Sequence, residues 1–211
     1  MKNRELLKRI AIDALFFALI AIFTFTPYIG FITLGPVSFT TIHVIVLLGA
    51  ILYGAKRGAL YGFFFGLMSL VNALTRPGTG DFIFVNPFIS ILPRVLFGLI
   101  AGLVFDLLRK HTKPKTFNLL AFPLCGVFTF LHTVLTLLSM YVFGILDIFK
   151  ISAGLGLGEI IDSISSTYPN LWAFFGGFLA LGSIGEIAIA IIIVPTIYII
   201  IYNKYVRKEV Y

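Results

Sequence analysis

The sequence predicts an all-α integral membrane protein, a six-transmembrane-helix bundle with both termini in the cytoplasm. Composition is the first reason, since 59% of the 211 residues are hydrophobic and only 12% are charged. Soluble domains are about 45–50% apolar and about 25% charged. The other two reasons are a series of long apolar segments and a one-sided distribution of basic residues.

The apolar segments are each long enough, or nearly so, to cross a bilayer, which takes roughly 20 residues. They are Ile10–Thr26, Val37–Tyr53, Gly58–Thr75, Pro87–Leu108, Phe117–Phe143 and about Gly182–Tyr202. The first segment follows a basic N-terminus, but no small-residue cleavage site follows it, so we interpret it as a span rather than a secretory signal. No segment is left over for a soluble core, so residues 1–211 are expected to form a single membrane domain.

Most of the 16 lysine and arginine residues fall on one side of this predicted bundle. They are Lys2, Arg4, Lys8, Arg9, Lys56, Arg57, Arg109, Lys110, Lys113, Lys115, Lys204, Arg207 and Lys208. Basic loops remain in the cytoplasm, so both termini are predicted to be cytoplasmic and the loop after the third span faces outward. Because the charges lie at span ends, the net charge of +7 indicates membrane topology rather than nucleic-acid binding.

Small residues recur along three of the spans. The first span carries Ala11, Ala14, Ala18 and Ala21; the third carries Gly54, Gly58, Gly62 and Gly66; the fourth repeats the spacing at Gly98 and Gly102. Small residues let helix backbones approach closely in lipid. We interpret the glycines as internal packing of the bundle. For the alanines, internal packing and contact with a partner protein both remain open.

Several function classes lack their sequence signatures. There is no phosphate-binding loop, no paired acidic motif and no nucleophile elbow. His43, His111 and His132 lie in different segments, without metal-ligand spacing. No metal or cofactor is therefore expected, and neither an enzyme nor a self-contained ATP-driven pump is favoured.

Ionisable residues at membrane depth are functional candidates, and Arg94 is the most informative of them. It lies in the outer half of the fourth span and needs a partner there. Glu186 could supply an ion pair, since it is predicted at a similar depth. Alternatively, the planar guanidinium could recognise the carboxylate of a ligand.

Other polar residues are predicted near the same level and complete a candidate substrate-binding set. The set is Arg94, Asn86, Asn72, His132, His43, Ser90, Tyr141 and Glu186. Some have a structural alternative: Asn86 could cap the fourth helix, Tyr141 could be an interfacial aromatic, and the histidines could be satisfied by neighbours. Arg76 and Asp81, in the outer loop, could simply be solvated charges.

Two stretches resemble a known family: IHVIVLLGAILYGAKRGALYGFFFGL in the second and third spans, and FVNPFISILPRVLFGLIAGLVF around the fourth. With the alanine face, they resemble the substrate-binding (S) components of energy-coupling factor (ECF) vitamin transporters, most of all the pantothenate-type members. The resemblance covers about Ile10–Asp106 well and the rest only in the number of spans.

The resemblance implies a specificity subunit in the plasma membrane of a bacterium. This subunit would bind a vitamin at its outer side, and pantothenate is the vitamin that the resemblance favours. It implies docking onto a transmembrane coupling protein with two cytoplasmic ATPases, through Ala14 and Ala18, with Ala11 and Ala21 on the same helix. It also implies a gating loop, here Arg76, Gly78, Gly80 and Asp81.

Other readings stay open at this point. The ligand could be another vitamin or precursor, such as pyridoxine, hydroxymethylpyrimidine or folate. A solitary carrier driven by an ion gradient is a second reading, although the halves show no convincing repeat. An intramembrane enzyme would need clustered acids or a nucleophile–base pair, and an assembly protein would leave Arg94 without a purpose.

Overall fold

The computed structural model describes residues 2–26, 29–34, 37–75, 84–145 and 183–202. In these residues, long helices are joined at one point by a short hairpin. The elements are α1 (Lys2–Phe25), β1 (Phe31–Leu34), β2 (Val37–Thr40), α2 (Ile42–Tyr53), α3 (Ala55–Thr75), α4 (Pro87–Ser90), α5 (Leu92–His111), α6 (Pro114–Ile145) and α7 (Ser183–Ile201).

Among the described residues, four helical segments are long and apolar enough to cross a membrane. They are Ala55–Thr75, Pro87–His111, Pro114–Met140 and Ser183–Ile201. α2 is a shorter apolar helix of 12 residues. α1 has 24 residues, but Lys2, Arg4, Glu5, Lys8 and Arg9 occupy its first turns. A count of six spans requires both α1 and α2 in addition.

The hairpin corrects one expectation within this all-helical architecture, since the second apolar segment does not start as a helix. Val37–Thr40 was expected to open that span, but it pairs antiparallel with β1, from Phe31 opposite Thr40 to Leu34 opposite Val37. The reason is local: the stretch is rich in β-branched and aromatic residues, which favour strands. The turn-forming residues Gly35 and Pro36 separate the two strands in the sequence.

The glycines of α3 face the backbone of α5, as the internal-packing interpretation predicts. A side chain at Gly58 would collide with the carbonyl of Gly98, and one at Gly98 with the carbonyl of Gly58. Further along, Gly62 lies against the backbone of Arg94 and Gly66 against that of Ile91. The two backbones therefore touch directly, which sets both the separation of the helices and the rotation of α5.

A sharp turn at Gly54 joins α2 to α3. Its φ of 81° lies in the left-handed region that glycine adopts without strain. Asp106, from the end of α5, fills the space beside it and accepts a hydrogen bond from the Ala55 amide at 3.0 Å. This carboxylate caps the start of α3, and it also lies 3.7 Å from the guanidinium of Arg109.

α1 is held to α3 near the basic residues at the start of both helices. We call this region the basic end of the bundle. Asp13 accepts a hydrogen bond from the Tyr61 hydroxyl at 2.6 Å and lies 3.4 Å from the guanidinium of Arg57. Phe16 stacks on Tyr61, with ring centroids 4.5 Å apart. These contacts bury one side of α1 and leave its other side exposed.

The Gly62→Val substitution tests the direct contact of α3 and α5. The added side chain would meet the Arg94 carbonyl, so we expect a loss of about 1–3 kcal/mol of stability, as for other overpacked interiors. Thermal unfolding of the purified protein in detergent measures it. Leu60→Val, at an exposed position of the same helix, is the control. Equal melting temperatures for the two variants would contradict the packing described here.

Candidate functional site

Four buried polar side chains from four helices approach each other away from the basic end: His43 on α2, Arg94 on α5, His132 on α6 and Glu186 on α7. We call them the central polar cluster. Their exposed fractions are 0%, 2%, 3% and 7%. The imidazoles of His43 and His132 are 5.7 Å apart, and Arg94 interacts electrostatically with both Glu186 and His132. The sequence predicted each of these residues at the site, and the fold brings them together.

Arg94 is positioned by a local feature of its own sequence. In an uninterrupted helix, the carbonyl of Ile89 would accept a hydrogen bond from residue 93, but Pro93 has no N–H. The Nη1 atom of Arg94 donates to that carbonyl instead, at 2.6 Å. Because Pro93 leaves the carbonyl of Ile89 without its usual donor, this carbonyl is free to accept from Arg94 and to orient its guanidinium.

Aromatic rings complete the surroundings of Arg94. Its guanidinium carbon lies 4.7 Å from the ring centroid of Phe84 and 5.4 Å from that of Phe65, within the range of cation–π attraction. Its Nε atom is buried and has no hydrogen-bond partner. Part of the guanidinium is thus fixed by the protein, while another part remains available to an acceptor.

The two histidines form a second part of the cluster. His132 stacks near-parallel on His43, and the rings of Phe97 and Phe65 lie 5.0 Å and 6.0 Å from it. All four imidazole nitrogens are buried, and none has a hydrogen-bond partner within the part of the chain that the structure describes. A buried polar group left unsatisfied costs about 1–3 kcal/mol. Such a concentration in one place is typical of a site that a polar ligand or water would fill.

Glu186 contacts the hairpin rather than Arg94. Its Oε1 atom accepts a hydrogen bond from the Thr40 amide at 2.5 Å, and His43 lies close to the backbone of both residues. No ion pair within 4.0 Å joins Glu186 to Arg94. Of the two alternatives raised by the sequence, the direct ion pair is therefore absent, and the two charges interact only at longer range.

The remaining predicted residues have different outcomes. Ser90 is fully buried and its hydroxyl has no partner, while Asn72 is 9% exposed. Asn86 caps α4 by accepting from the Phe88 amide at 2.9 Å, the structural role considered for it. The side chain of Tyr141 lies outside the described residues, as do the expected gating residues Arg76, Gly78, Gly80 and Asp81.

Sequence reasoning missed some polar and aromatic groups around the cluster. Thr136 lies one turn from His132 and Ser183 one turn from Glu186; both are buried with unpartnered hydroxyls. Helical spacing from the predicted residues could have found them. Phe65, Phe84 and Phe97 carried no such signal, because nothing in the sequence separates them from the other phenylalanines among the 23 in the chain.

In the described residues, no three His, Cys, Asp or Glu side chains are grouped to hold a metal ion.

The alanine residues of α1 occupy its outward side. Ala11, Ala14 and Ala18 are exposed and Ala21 is half-buried, whereas Phe16 and Ile20 face the core. Exposed apolar neighbours surround the alanines, among them Leu15 at 58% and Ile22 at 56%. Among the described residues, this small-residue surface is thus not used for internal packing, so a partner contact remains as its predicted role.

Comparison with known protein families identifies the family to which this chain belongs. Residues 8–198 match the model of the family described as "ECF transporter, substrate-specific component". The chain belongs to that family. As a substrate-specific component it is a transport subunit rather than an enzyme and, with its long apolar helices, a multi-pass membrane protein.

Two relatives are similar to this substrate-specific component over much of its length. The "Pantothenate transporter PanT" of Leuconostoc mesenteroides subsp. mesenteroides is 33% identical over 196 residues, covering 87% of this chain and 93% of the relative. The "Pantothenic acid transporter PanT" of Lactococcus lactis subsp. cremoris is 30% identical over 149 residues, covering 64% of this chain and 72% of the relative.

The unpartnered imidazoles make a prediction about stability. Replacing His132 by Phe removes two unsatisfied nitrogens from an aromatic environment, so we expect ligand-free protein to gain about 1–3 kcal/mol of stability. Thermal unfolding without ligand measures the change. His111→Phe, at an exposed position at the end of α5, should give no comparable gain. A lower melting temperature for His132→Phe would mean that these nitrogens are already satisfied.

Proposed function

We propose that this substrate-specific component binds pantothenate and delivers it to an ATP-driven ECF importer. The observation that carries the proposal is a buried arginine, Arg94, with an unpartnered Nε atom among buried neutral donors. Both relatives are named as pantothenate transporters and are similar to this chain over most of their length, which supports pantothenate as the ligand.

The chemistry of pantothenate suits the cluster. The molecule has one carboxylate, one amide and two hydroxyls. A carboxylate is the natural partner of a guanidinium, because charge-assisted hydrogen bonds are roughly twice as strong as neutral ones. The imidazoles of His43 and His132 and the hydroxyl of Ser90 can donate to or accept from the neutral groups. We include Asn72, Asn86 and Tyr141 in the proposed binding set.

The proposed assembly has six spans in the plasma membrane of a bacterium, with both termini cytoplasmic. The basic end of the bundle then faces the cytoplasm, in agreement with the positive-inside rule, and the central polar cluster opens towards the outside. The loop from Arg76 to Asp81 gates the site. The exposed alanines of α1 dock onto a transmembrane coupling protein that carries two ATPase subunits.

Other ligands fit the cluster less well. Pyridoxine and hydroxymethylpyrimidine have no carboxylate for Arg94, and folate carries two carboxylates on a much larger body. A solitary gradient-driven carrier would have no use for an exposed small-residue face on α1, and it finds no support in the family assignment.

Equilibrium binding of purified protein tests the proposed ligand. We expect tight pantothenate binding without ATP or partners, and no comparable binding of folate, riboflavin, thiamine, pyridoxine or biotin. Arg94→Ala should weaken pantothenate binding by at least 10–100-fold, since a hydrogen bond to a charged group is worth about 1.5–3 kcal/mol.

The control for this variant is Arg57→Ala. Arg57 also lies over an aromatic ring, that of Tyr53, but at the basic end of the bundle. The Arg57→Ala substitution should leave the affinity for pantothenate unchanged. Unaltered affinity in Arg94→Ala would remove Arg94 from the site, and tight binding of another vitamin would change the substrate.

Bulky substitutions on α1 test the proposed docking face. Ala14→Trp or Ala18→Trp should abolish co-purification with the coupling protein and its ATPases, because close helix approach needs small side chains. Pantothenate binding by the isolated subunit should be retained, since neither alanine lies in the core.

Val127→Trp is the matched control, because Val127 is 58% exposed on α6, away from the alanine face. It should co-purify with the coupling protein at the wild-type yield. If both alanine variants also did so, the docking face would have to lie elsewhere on the subunit.

A further inference from the structure

The central polar cluster has two chemically different ends. Arg94 projects from α5, stacked on Phe84, while Glu186 projects from α7 and is tied to the backbone of Thr40. Their charged groups interact but are more than 4.0 Å apart. The unpartnered imidazoles of His43 and His132 also belong to this cluster. The site therefore offers donors at one end and a carboxylate acceptor at the other.

We propose that Glu186 determines specificity by accepting hydrogen bonds from the hydroxyl groups of the ligand and by repelling a second anionic group there. The proposal rests on the proposed function, in which Arg94 takes the ligand carboxylate. The two ends of pantothenate then match the two ends of the cluster, because its primary hydroxyl is the group farthest from its carboxylate.

The position of Glu186 favours this role over a purely structural one. An ionised carboxylate has two oxygens and about four acceptor sites. The described residues supply a single hydrogen bond to it, through Oε1. A side chain needed only to fix the hairpin would not require an ionisable carboxyl group in a buried position, where the charged form is costly. The same charge is useful if the site must distinguish a hydroxyl from its phosphate ester.

The test compares two probes on purified protein: pantothenate, and pantothenate phosphorylated on its primary hydroxyl. The wild type should bind the phosphate ester at least 100-fold more weakly. Glu186→Gln keeps an oxygen that can accept from the Thr40 amide but removes the charge. The ratio of the two affinities should shrink at least tenfold in this variant. A purely structural role would weaken both probes equally and leave the ratio unchanged.

If Glu186→Gln does not fold, measurements of ligand binding to the wild-type protein can still refute the proposal. Pantothenate with its primary hydroxyl replaced by hydrogen should bind about 10–100-fold more weakly, the loss expected for a hydrogen bond to a charged group. Ile184→Ala, at a position of α7 that is 69% exposed, should preserve the discrimination against the phosphate ester. Equal wild-type affinity for pantothenate and its phosphate ester, or an unchanged ratio in Glu186→Gln, overturns the inference. Failure of the wild type to bind pantothenate at all would instead overturn the proposed function.

Discussion

The direct contact between the backbones of α3 and α5 is the constraint on which the rest of the structure depends. Glycines at four-residue spacing remove the side chains that would otherwise hold these helices apart. In lipid, apolar side chains gain little by leaving their surroundings, so association relies on close packing. Because Gly62 lies on the backbone of Arg94, the same contact that joins the helices also sets which way α5 presents its arginine.

The packed pair of α3 and α5 supports the central polar cluster, whose buried polar groups lower the stability of the ligand-free protein. Six groups of the described core, the four imidazole nitrogens, Arg94 Nε and the Ser90 hydroxyl, are buried without hydrogen-bond partners. Each costs about 1–3 kcal/mol, and a core selected only for stability would replace them with apolar side chains. Such a cost is tolerable when a ligand supplies the missing partners. The polar groups then provide selectivity, since any ligand that leaves them unpaired is rejected.

The sequence predicted the parts of this structure that follow from composition and spacing. Long apolar segments marked α3, α5, α6 and α7, because hydrophobic length is a strong constraint in a bilayer. The glycine spacing predicted internal packing, and an arginine inside a span pointed to the cluster. The β-hairpin was missed because hydropathy does not distinguish an apolar strand from the start of an apolar helix. Phe65, Phe84 and Phe97 were also missed, because their role depends on which of 23 similar side chains the fold brings to Arg94.

α3 lies between the proposed docking face on α1 and the proposed ligand site. One side of this helix packs against α1 through Tyr61, which holds Asp13 and Phe16, and another side packs against α5 through its glycines. Phe65, one turn from Tyr61, lies against both Arg94 and His132. The exposed alanines of α1 therefore lie on the far side of α1 from α3, away from the central polar cluster. A partner that binds α1 need not touch the ligand, and the ligand need not touch the partner. Any influence of one on the other can pass through the packing of α1 against α3, or through its packing against α2, which carries His43.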